Sequence, residues 1–262
     1  MSRVRRMLPI FFLVLIAAIS LLAPWIAPHD PLDAVTGQEL RPPSAQFWLG
    51  TDLLGRDVYS RVLFGGRRTL TIALLALALA VGPGLLIGTL AGYVGGWFDQ
   101  AVSVVIDALL AFPGLLLALS VIALLGSGSL AVGIAAGVAG LPAYARVARA
   151  AARDVRSRPY VEAARAIGAT PRAILAAHIL PNMLGTLLAF ATVTLSWAIL
   201  NAATLNFLGF GGDPAAPEWG TMLAEGRQAF RIAPWAVIAP GVAIMLTVLA
   251  TNLVADSLAG RE

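Results

Sequence analysis

Residues 69–92 read TLTIALLALALAVGPGLLIGTLAG, an unbroken run without a charged side chain. A helix needs about 20 predominantly apolar residues to cross the hydrocarbon core of a bilayer, and this run exceeds that length. The stretch therefore predicts a membrane-spanning helix.

The composition of the whole chain agrees with that prediction. Of its 262 residues, 59% are hydrophobic and only 12% are charged, whereas soluble proteins average roughly 25% charged residues. One soluble core of ordinary size cannot hide so much apolar surface, but a bilayer accepts it on the outside of every helix. The chain is therefore predicted to be an all-α polytopic membrane protein.

Five further charge-poor windows of suitable length flank this run, which gives six predicted transmembrane helices. The six windows are residues 7–26, 69–92, 101–125, 130–147, 183–205 and 233–254. The first window follows a basic start and can also be interpreted as a cleaved signal peptide. However, its apolar run is longer than a signal core, and Ala23-Pro24-Trp25 is a poor cleavage site. We therefore expect a retained first span.

The residue types that are absent exclude several chemistries. All eighteen basic residues are arginine, cysteine is absent, and the two histidines are His29 and His178. A P-loop of the G-x-x-x-x-G-K-[ST] type needs its lysine, so the chain is not expected to hydrolyse ATP by that route. Two isolated histidines make a poor set of metal ligands. Nucleic-acid binding is not predicted either, because the arginines lie beside apolar runs rather than on a basic surface rich in aromatic residues.

Arginine placement predicts the orientation of the spans, because basic residues beside a span are held on the cytoplasmic side. The densest basic segment lies between the fourth and fifth windows and holds Arg146, Arg149, Arg153, Arg156, Arg158, Arg165 and Arg172. With six spans, both termini are then cytoplasmic. One region disagrees: the first connection is predicted to be external and yet carries five arginines. It is a long loop with as many acidic residues, which weakens the objection.

Residues 158–168 read RPYVEAARAIG and are predicted to form a short amphipathic helix in that cytoplasmic segment. Pro159 suits its first turn and Gly168 suits its C-terminal cap. Thr170 then caps a second helix, with Pro171 at its first position, and that helix runs toward Pro181, where the fifth span begins.

One face of the first helix is predicted to be apolar and exposed. Tyr160, Ala164 and Ile167 share this face at helical spacing, with Ala163 and Ala166 alongside. Such a face between charged flanks is suited to docking a partner protein, and it is also suited to lying on anionic lipid headgroups. The pattern by itself leaves both interpretations open.

Two parts of this segment carry a family resemblance. Residues 162–168 read EAARAIG and residues 178–182 read HILPN, and together they resemble the EAA signature of binding-protein-dependent ABC importer permeases. The usual signature has isoleucine at the position of His178, and the histidine is similar to the branch that transports peptides or nickel. Further stretches resemble that branch over nearly the whole chain: LGTDLLGRD at 49–57, GGWFD at 95–99, AFP at 111–113, FLGFG at 207–211 and PEWG at 217–220.

The resemblance implies the second of the two permeases in such a system, a type I ABC importer transmembrane domain in the bacterial cytoplasmic (inner) membrane. The implied partners are a homologous second permease, two ATPase subunits that bind the ATP, and an extracytoplasmic substrate-binding protein, besides membrane lipid. No cofactor, nucleic-acid partner or enzymatic activity of its own is implied. The chain divides into a tail and first helix (1–27), an external loop (28–68) and a five-helix core (69–262) with a cytoplasmic coupling segment (150–181).

The resemblance also implies which residues couple the permease to the ATPases. They are Tyr160, Glu162, Ala163, Ala164, Ile167, Gly168, Pro171, Leu180 and Pro181. Glu162 is expected to orient the coupling helix, although a solvated helix carboxylate of little energetic weight has the same pattern. Gly168 is expected to let the chain turn sharply, a role compatible with a simple helix cap.

Three other features allow predictions. Asp107 lies about two turns into the third span, near enough to the cytoplasm to reach water or an arginine rather than serve transport. Glycines at 133, 137 and 140 predict close helix contacts, or simply a crowded core. Met222, Leu223 and Phe230 are expected to form a short amphipathic helix over the external pore mouth.

Two rival functions remain to be weighed. A secondary transporter or channel usually shows intramembrane ionisable residues, polar rings or repeats, and here Asp107 stands without an internal repeat. A membrane-embedded enzyme is disfavoured because no predicted span carries paired carboxylates, a histidine pair or a nucleophile with a base. The cargo stays open among peptides, nickel chelates and other small solutes.

Overall fold

The computed structural model describes residues 3–259. Every regular element in that range is a helix, apart from an isolated β-bridge between Thr51 and Asp57. The α-helices are α1 (Arg3–Leu21), α2 (Ala23–Ile26), α3 (Val58–Val94), α4 (Gly96–Leu110), α5 (Gly114–Leu125), α6 (Ser129–Arg156), α7 (Pro159–Ala166), α8 (Pro171–Ile174), α9 (Leu180–Phe207), α10 (Trp219–Gly226) and α11 (Trp235–Ala259). A π-helical turn, Leu175–Ile179, joins α8 to α9, and a 3₁₀ turn, Arg227–Ala229, follows α10. The all-α prediction is confirmed.

The long helices correspond to the six predicted windows. Four are long and apolar enough to cross a membrane by themselves: Val58–Val94, Ser129–Arg156, Pro171–Phe207 and Trp235–Leu258. The pair α4 and α5 qualifies as a fifth span if its two helices are taken together. A shorter apolar helix, Met7–Leu21, covers the first window. By length and composition the described residues thus give four or five full spans, and the predicted count of six is approximate.

The third window is not a straight helix, because α4 and α5 meet at an angle of 91°. Pro113 lacks an N–H and disfavours helical geometry in the residue before it, so α4 ends there. Phe112 N still donates to the Leu109 carbonyl at 3.3 Å, and α5 restarts immediately afterwards. A cavity of about 400 Å³ lies inside this bend, with Phe190 and Trp197 of α9 among its lining residues. The bend therefore has free space beside it.

The second span begins earlier than its window predicts. Asp57 caps α3, because its Oδ2 accepts a hydrogen bond from Ser60 N at 2.9 Å. The predicted external loop, 28–68, therefore ends at Asp57, and three of its arginines lie inside a helix. The charges of Arg61, Arg67 and Arg68 interrupt the apolar run in the sequence, which is why the window starts too late. They do not interrupt the helix, since arginine is a good helix former.

Small residues bring α3 and α6 close together. Gly84, Gly88 and Gly92 recur every fourth residue on one face of α3. A Cβ atom at Gly84 would lie 3.2 Å from Ala145 N, and one at Gly88 or Gly92 would meet the carbonyl oxygens of Ala145 and Arg149. Only glycine permits an approach this close, as in other small-residue helix contacts in membranes.

The glycines predicted to make close contacts on α6 do so. A Cβ at Gly137 would lie 2.9 Å from the carbonyl oxygen of Ala76 on α3, and one at Gly140 would lie 3.2 Å from the Trp197 ring on α9. Gly133 is equally confined by side chains of α3. These three positions therefore set the spacing of the central helices.

The bundle has two ends. One carries the first loop, residues 27–57, together with α10; the Trp235 indole N–H at the start of α11 donates to the Thr51 carbonyl there at 3.0 Å. The other carries residues 157–181, called the interhelical segment below, where the Tyr93 hydroxyl near the end of α3 donates to the Pro171 carbonyl at 3.0 Å. These ends are called the first-loop end and the segment end.

Candidate functional site

The interhelical segment consists of two short helices joined by a sharp turn. Gly168, between α7 and α8, has a φ of +85°, a left-handed conformation that glycine adopts without strain. The Thr170 hydroxyl accepts a hydrogen bond from Ala173 N at 3.3 Å and so caps α8, while Pro159 and Pro171 occupy the first positions of the two helices. The predicted pair of helices, with its caps, is confirmed.

The second helix of the segment continues directly into α9. The Leu175–Ile179 π-turn links them, and this local break in the α-helical hydrogen-bond pattern lies directly before Pro181, which has no N–H to donate. The Asn182 amide donates to the His178 carbonyl at 2.6 Å, which helps to satisfy the backbone at this joint. Pro171–Phe207 is accordingly one continuous helix, which joins α8 directly to α9.

The first helix rests on the bundle through a face that differs from the predicted one. Val161 and Ala164 are buried, in a cluster with Val155 of α6 and Ile174 of α8. The prediction that Ala164 belongs to the exposed face is therefore wrong, and Val161 was missed. Both lie at i and i+3 on one face of α7, and this valine–alanine pair was the sequence signal for the inner face.

The opposite side of α7 is open to solvent. Tyr160 is 39% exposed and Ile167 is 86% exposed, and Glu162 and Ala163 are exposed beside them. Within residues 3–259, the Glu162 carboxylate has no hydrogen-bond or ion-pair partner. Its place in the first turn of α7 suits a carboxylate, because the partial positive charge of a helix N-terminus stabilises it. Gly168, Pro171, Leu180 and Pro181 are also exposed, so the nine predicted site residues are brought together on one short segment.

A buried ion pair lies beside this segment, and sequence reasoning missed it. Asp99, in the first turn of α4, accepts hydrogen bonds from Nε and Nη2 of Arg149 on α6, the latter at 2.8 Å. Arg153, one turn further along α6, places Nη1 3.7 Å from the same carboxylate. The signal was the GGWFD stretch, whose aspartate follows two glycines by three residues and lies opposite the arginine-rich end of α6.

Asp107 has the environment predicted for it. Its carboxylate pairs with Arg146 of α6, and the two side chains are 64% and 53% exposed. A pair this accessible contributes little to stability.

Four charged residues form a second buried cluster, at the first-loop end; Asp52, Arg56, Arg61 and Glu225 are called the first-loop ion cluster below. Arg56 lies 2.7 Å from Asp52 and 2.8 Å from Glu225. Arg61 lies 3.4 Å from Asp52 and 3.0 Å from Glu225. Two of the arginines that contradicted an external first loop are therefore neutralised structural residues, and they carry little information about orientation.

Helix α10 is anchored next to this cluster by Glu218. The Glu218 carboxylate accepts hydrogen bonds from the Thr69 hydroxyl of α3 at 2.7 Å and from Thr221 N at 2.9 Å. Burial raises the pKa of Glu218, and these hydrogen bonds oppose the rise. The short helix predicted here is confirmed for Met222 and Leu223, whereas Phe230 lies beyond α10 and is exposed.

The long apolar helices, with the short helix pair at one end, define a multi-pass membrane protein. The family model for "Binding-protein-dependent transport system inner membrane component" matches residues 84–261, more than half of the chain. The chain belongs to this family of ABC importer permeases, in which transport is driven by ATP.

Two relatives support this assignment, and a solved structure shares the fold. The chain is 43% identical over 255 residues to the di/tripeptide transport system permease protein DppC of Pseudomonas aeruginosa, covering 95% of this chain and 84% of the relative. It is 42% identical over 248 residues to the glutathione transport system permease protein GsiD of Escherichia coli, covering 94% and 82%. The inward-facing MetNI methionine ABC transporter shares the fold, with a TM-score of 0.60 at 20% identity over 76% of this chain and 96% of that one. The predicted family, fold class and inner-membrane location are confirmed.

Proposed function

We propose that this chain forms half of the translocation pore of an importer for small peptides. The observation that carries this proposal is its likeness, over nearly its whole length, to permeases named for di/tripeptides and for glutathione, which is itself a tripeptide. Nickel is an alternative cargo that those names do not support.

The interhelical segment is the site at which the ATPase subunits act in this proposal. Its inner face, formed by Val161 and Ala164, is packed on α6, and α8 is continuous with α9. Its outer face, with Tyr160, Glu162 and Ile167, is free to enter a groove on an ATPase. A small helix pair fixed in this way moves as one body with the helices on either side of it. The unpaired Glu162 carboxylate then finds a cationic or N–H partner on the ATPase.

The complete transporter in this proposal contains this permease, a homologous second permease, two ATPase subunits and an extracytoplasmic binding protein. The ATPases supply the nucleotide site, because this chain has no lysine for a P-loop. The binding protein docks at the first-loop end and delivers the cargo.

The proposed orientation places the interhelical segment and both termini in the cytoplasm. The arginine-rich end of α6 supports this, and the burial of Arg56 and Arg61 removes the main objection. The functional units then follow the predicted division, with an N-terminal tail and first helix (1–27), a loop shortened to end at Asp57, and a core that holds the coupling segment (150–181). Single cysteines in this cysteine-free chain test the orientation: Glu39→Cys should react with an impermeant maleimide from outside the cell, and Ile167→Cys should not.

Reconstitution of the four kinds of subunit in proteoliposomes tests the function. We expect ATP-dependent uptake of a labelled dipeptide and tripeptide when the binding protein is present. Uptake that runs on an ion gradient without ATP would instead indicate a secondary transporter, and uptake of nickel alone would identify the other cargo.

The variant Glu162→Lys tests the site. Uptake and retention of the ATPases in a pull-down should both fall at least tenfold, because repulsion replaces attraction at a docking contact. The matched control is Glu39→Lys, which reverses an exposed carboxylate at the opposite end of the bundle and should leave ATPase retention unchanged. Normal uptake and retention in Glu162→Lys would favour a lipid-surface role for α7.

A further inference from the structure

The α4 helix is fastened to the end of α6 by one buried carboxylate. Asp99 is 7% exposed, and an aspartate is seldom buried unless it is paired. It takes two hydrogen bonds from Arg149 and lies within 3.7 Å of Arg153. A planar guanidinium that binds both carboxylate oxygens fixes the relative position of two helices more firmly than one hydrogen bond does.

The arginines that hold Asp99 belong to the part of α6 that carries the interhelical segment. Arg149 and Arg153 lie in the last two turns of α6, next to the buried cluster of Ala152 and Val155 on which α7 rests. A third arginine of these turns, Arg156, closes over the turn before α4: a Cβ at Gly95 would lie 2.5 Å from its Nη1. The guanidinium groups that hold Asp99 and the surface on which α7 rests therefore belong to the same end of α6.

At its other end, α4 leads into the bend and toward α9. The bend at Pro113 is followed by Gly114, where a Cβ would lie 3.0 Å from the Trp197 ring of α9. The cavity of about 400 Å³ beside the bend gives α4 and α5 room to shift against Trp197. A movement imposed on Asp99 can thus reach the interior of the bundle without passing through α9.

We propose that Asp99 is a positioning residue for transport, which makes α4 and the bend follow the movement of the interhelical segment. This inference rests on the proposed coupling function of that segment. It adds a second connection into the bundle, through α6, Asp99 and α4, beside the direct continuation of α8 into α9.

The chain offers a matched control on the same two helices. Asp107 and Arg146 also pair α4 with α6, but both side chains are more than half exposed. An exposed pair fixes little, because water replaces either partner readily, whereas a buried carboxylate that loses its arginine is left without compensation. The variants Asp99→Asn and Asp107→Asn each remove one negative charge from α4. A difference between them is therefore due to the site of the carboxylate and not to the loss of charge.

The experiment uses the complete transporter in proteoliposomes and measures uptake, ATP hydrolysis and ATPase retention together. For Asp99→Asn we expect normal retention, ATP hydrolysis within twofold of the wild type, and at least a tenfold fall in peptide taken up per ATP. Asp107→Asn should stay within twofold of the wild type in uptake, ATP hydrolysis and ATPase retention. Asp99→Glu can still reach the guanidinium, so it should recover at least a third of the peptide uptake per ATP that Asp99→Asn loses. This pattern differs from that of Glu162→Lys, in which retention itself is lost.

A distance measurement makes the test independent of uptake. Spin labels on cysteines at Val105 of α4 and Leu188 of α9, both exposed, report the separation of these helices. The separation should change on ATP binding in the wild type and in Asp107→Asn, and it should stay fixed in Asp99→Asn.

Three results would overturn the proposal. They are an Asp99→Asn transporter that behaves like Asp107→Asn, one that keeps the ATP-dependent distance change, and one that loses the ATPases as Glu162→Lys does. If Asp99→Asn does not insert into the membrane or pair with the second permease, Arg149→Lys takes its place, because lysine keeps the charge and loses the two-point contact. A fall of at least threefold in uptake per ATP is then expected, and an unchanged ratio would refute the role of Asp99.

Discussion

The substitution Arg61→Met tests whether the first-loop ion cluster holds the first loop to the bundle. The Arg61 side chain is 1% exposed and joins four separate points: Glu225 at 3.0 Å, Asp52 at 3.4 Å, and the carbonyl oxygens of Pro31 at 3.2 Å and Ala215 at 3.3 Å. Methionine matches much of its length without the charge. The loop, α10 and α3 would then lose their common contact.

The size of the effect follows from the burial of the partners. Removing one member of a buried ion pair costs about 3–5 kcal/mol, because the other member remains buried without its counter-charge. The Glu225 side chain keeps 26% exposure and the nearby Arg56 guanidinium, so the lower end, about 3 kcal/mol, applies. At about 1.4 kcal/mol per factor of ten, local opening of the first loop becomes roughly 100-fold more frequent.

Amide hydrogen exchange over residues 30–57, measured in nanodiscs, detects that opening directly. The control Arg41→Met removes an exposed guanidinium that contacts the Gly37 carbonyl, and it should leave exchange unchanged. The double variant Arg61→Met/Glu225→Gln restores a balanced charge and should exchange more slowly than Arg61→Met. If exchange in Arg61→Met rises less than threefold, the cluster does not hold the loop and the assigned energy is wrong.

Three further predictions concern the segment, the helix contacts and pH. Val161→Ala should lower the free energy of unfolding by about 2 kcal/mol in a denaturant titration. Ile167→Ser should leave that free energy unchanged and weaken ATPase retention. The reverse pattern would mean that the two faces of α7 are misassigned. Gly88→Ala, which forces a methyl group against the Ala145 carbonyl, should cost about 1–3 kcal/mol, while Gly82→Ala, with open space around it, should cost nothing. Because burial raises the pKa of Glu218, its protonation stabilises the folded state at low pH, and this contribution is lost as pH rises through the raised pKa. In a pH series, the melting temperature of the wild type should fall as pH rises through this range, and that of Glu218→Gln should not show this fall. Equal slopes of melting temperature against pH would contradict the burial of the Glu218 carboxylate.

The sequence predicts the spans well because the bilayer imposes a length and a composition on each one. It predicts the two helices of the interhelical segment as well, since Thr170, Pro171 and Gly168 are local signals whose meaning depends on their immediate neighbours. The bend at Pro113 has a local signal too, but a proline in an apolar window does not reveal the angle that follows it.

Long-range charge pairing could not be predicted from the sequence. Arg61 meets Glu225 across 164 positions, so nothing near Arg61 distinguishes it from a solvated loop arginine. The late start of the second window has a related origin, because Arg61, Arg67 and Arg68 count as charges in a hydropathy window whether or not the fold pairs them. Asp99 is similar: its arginines are 50 or more positions away, and only the packing of α4 on α6 brings them together.

The helix that runs through Pro171–Phe207 has 37 residues, which at about 1.5 Å per residue makes a rod about 55 Å long. The hydrocarbon core is about 30 Å thick, so roughly 25 Å of the rod projects beyond it. If such a rod tilts by about 5° around its middle, each end sweeps through about 2.4 Å, while every hydrogen bond along its axis is kept. A rotation too small to disturb the packing at mid-membrane is therefore enough to displace side chains at the far end by more than the radius of a water molecule.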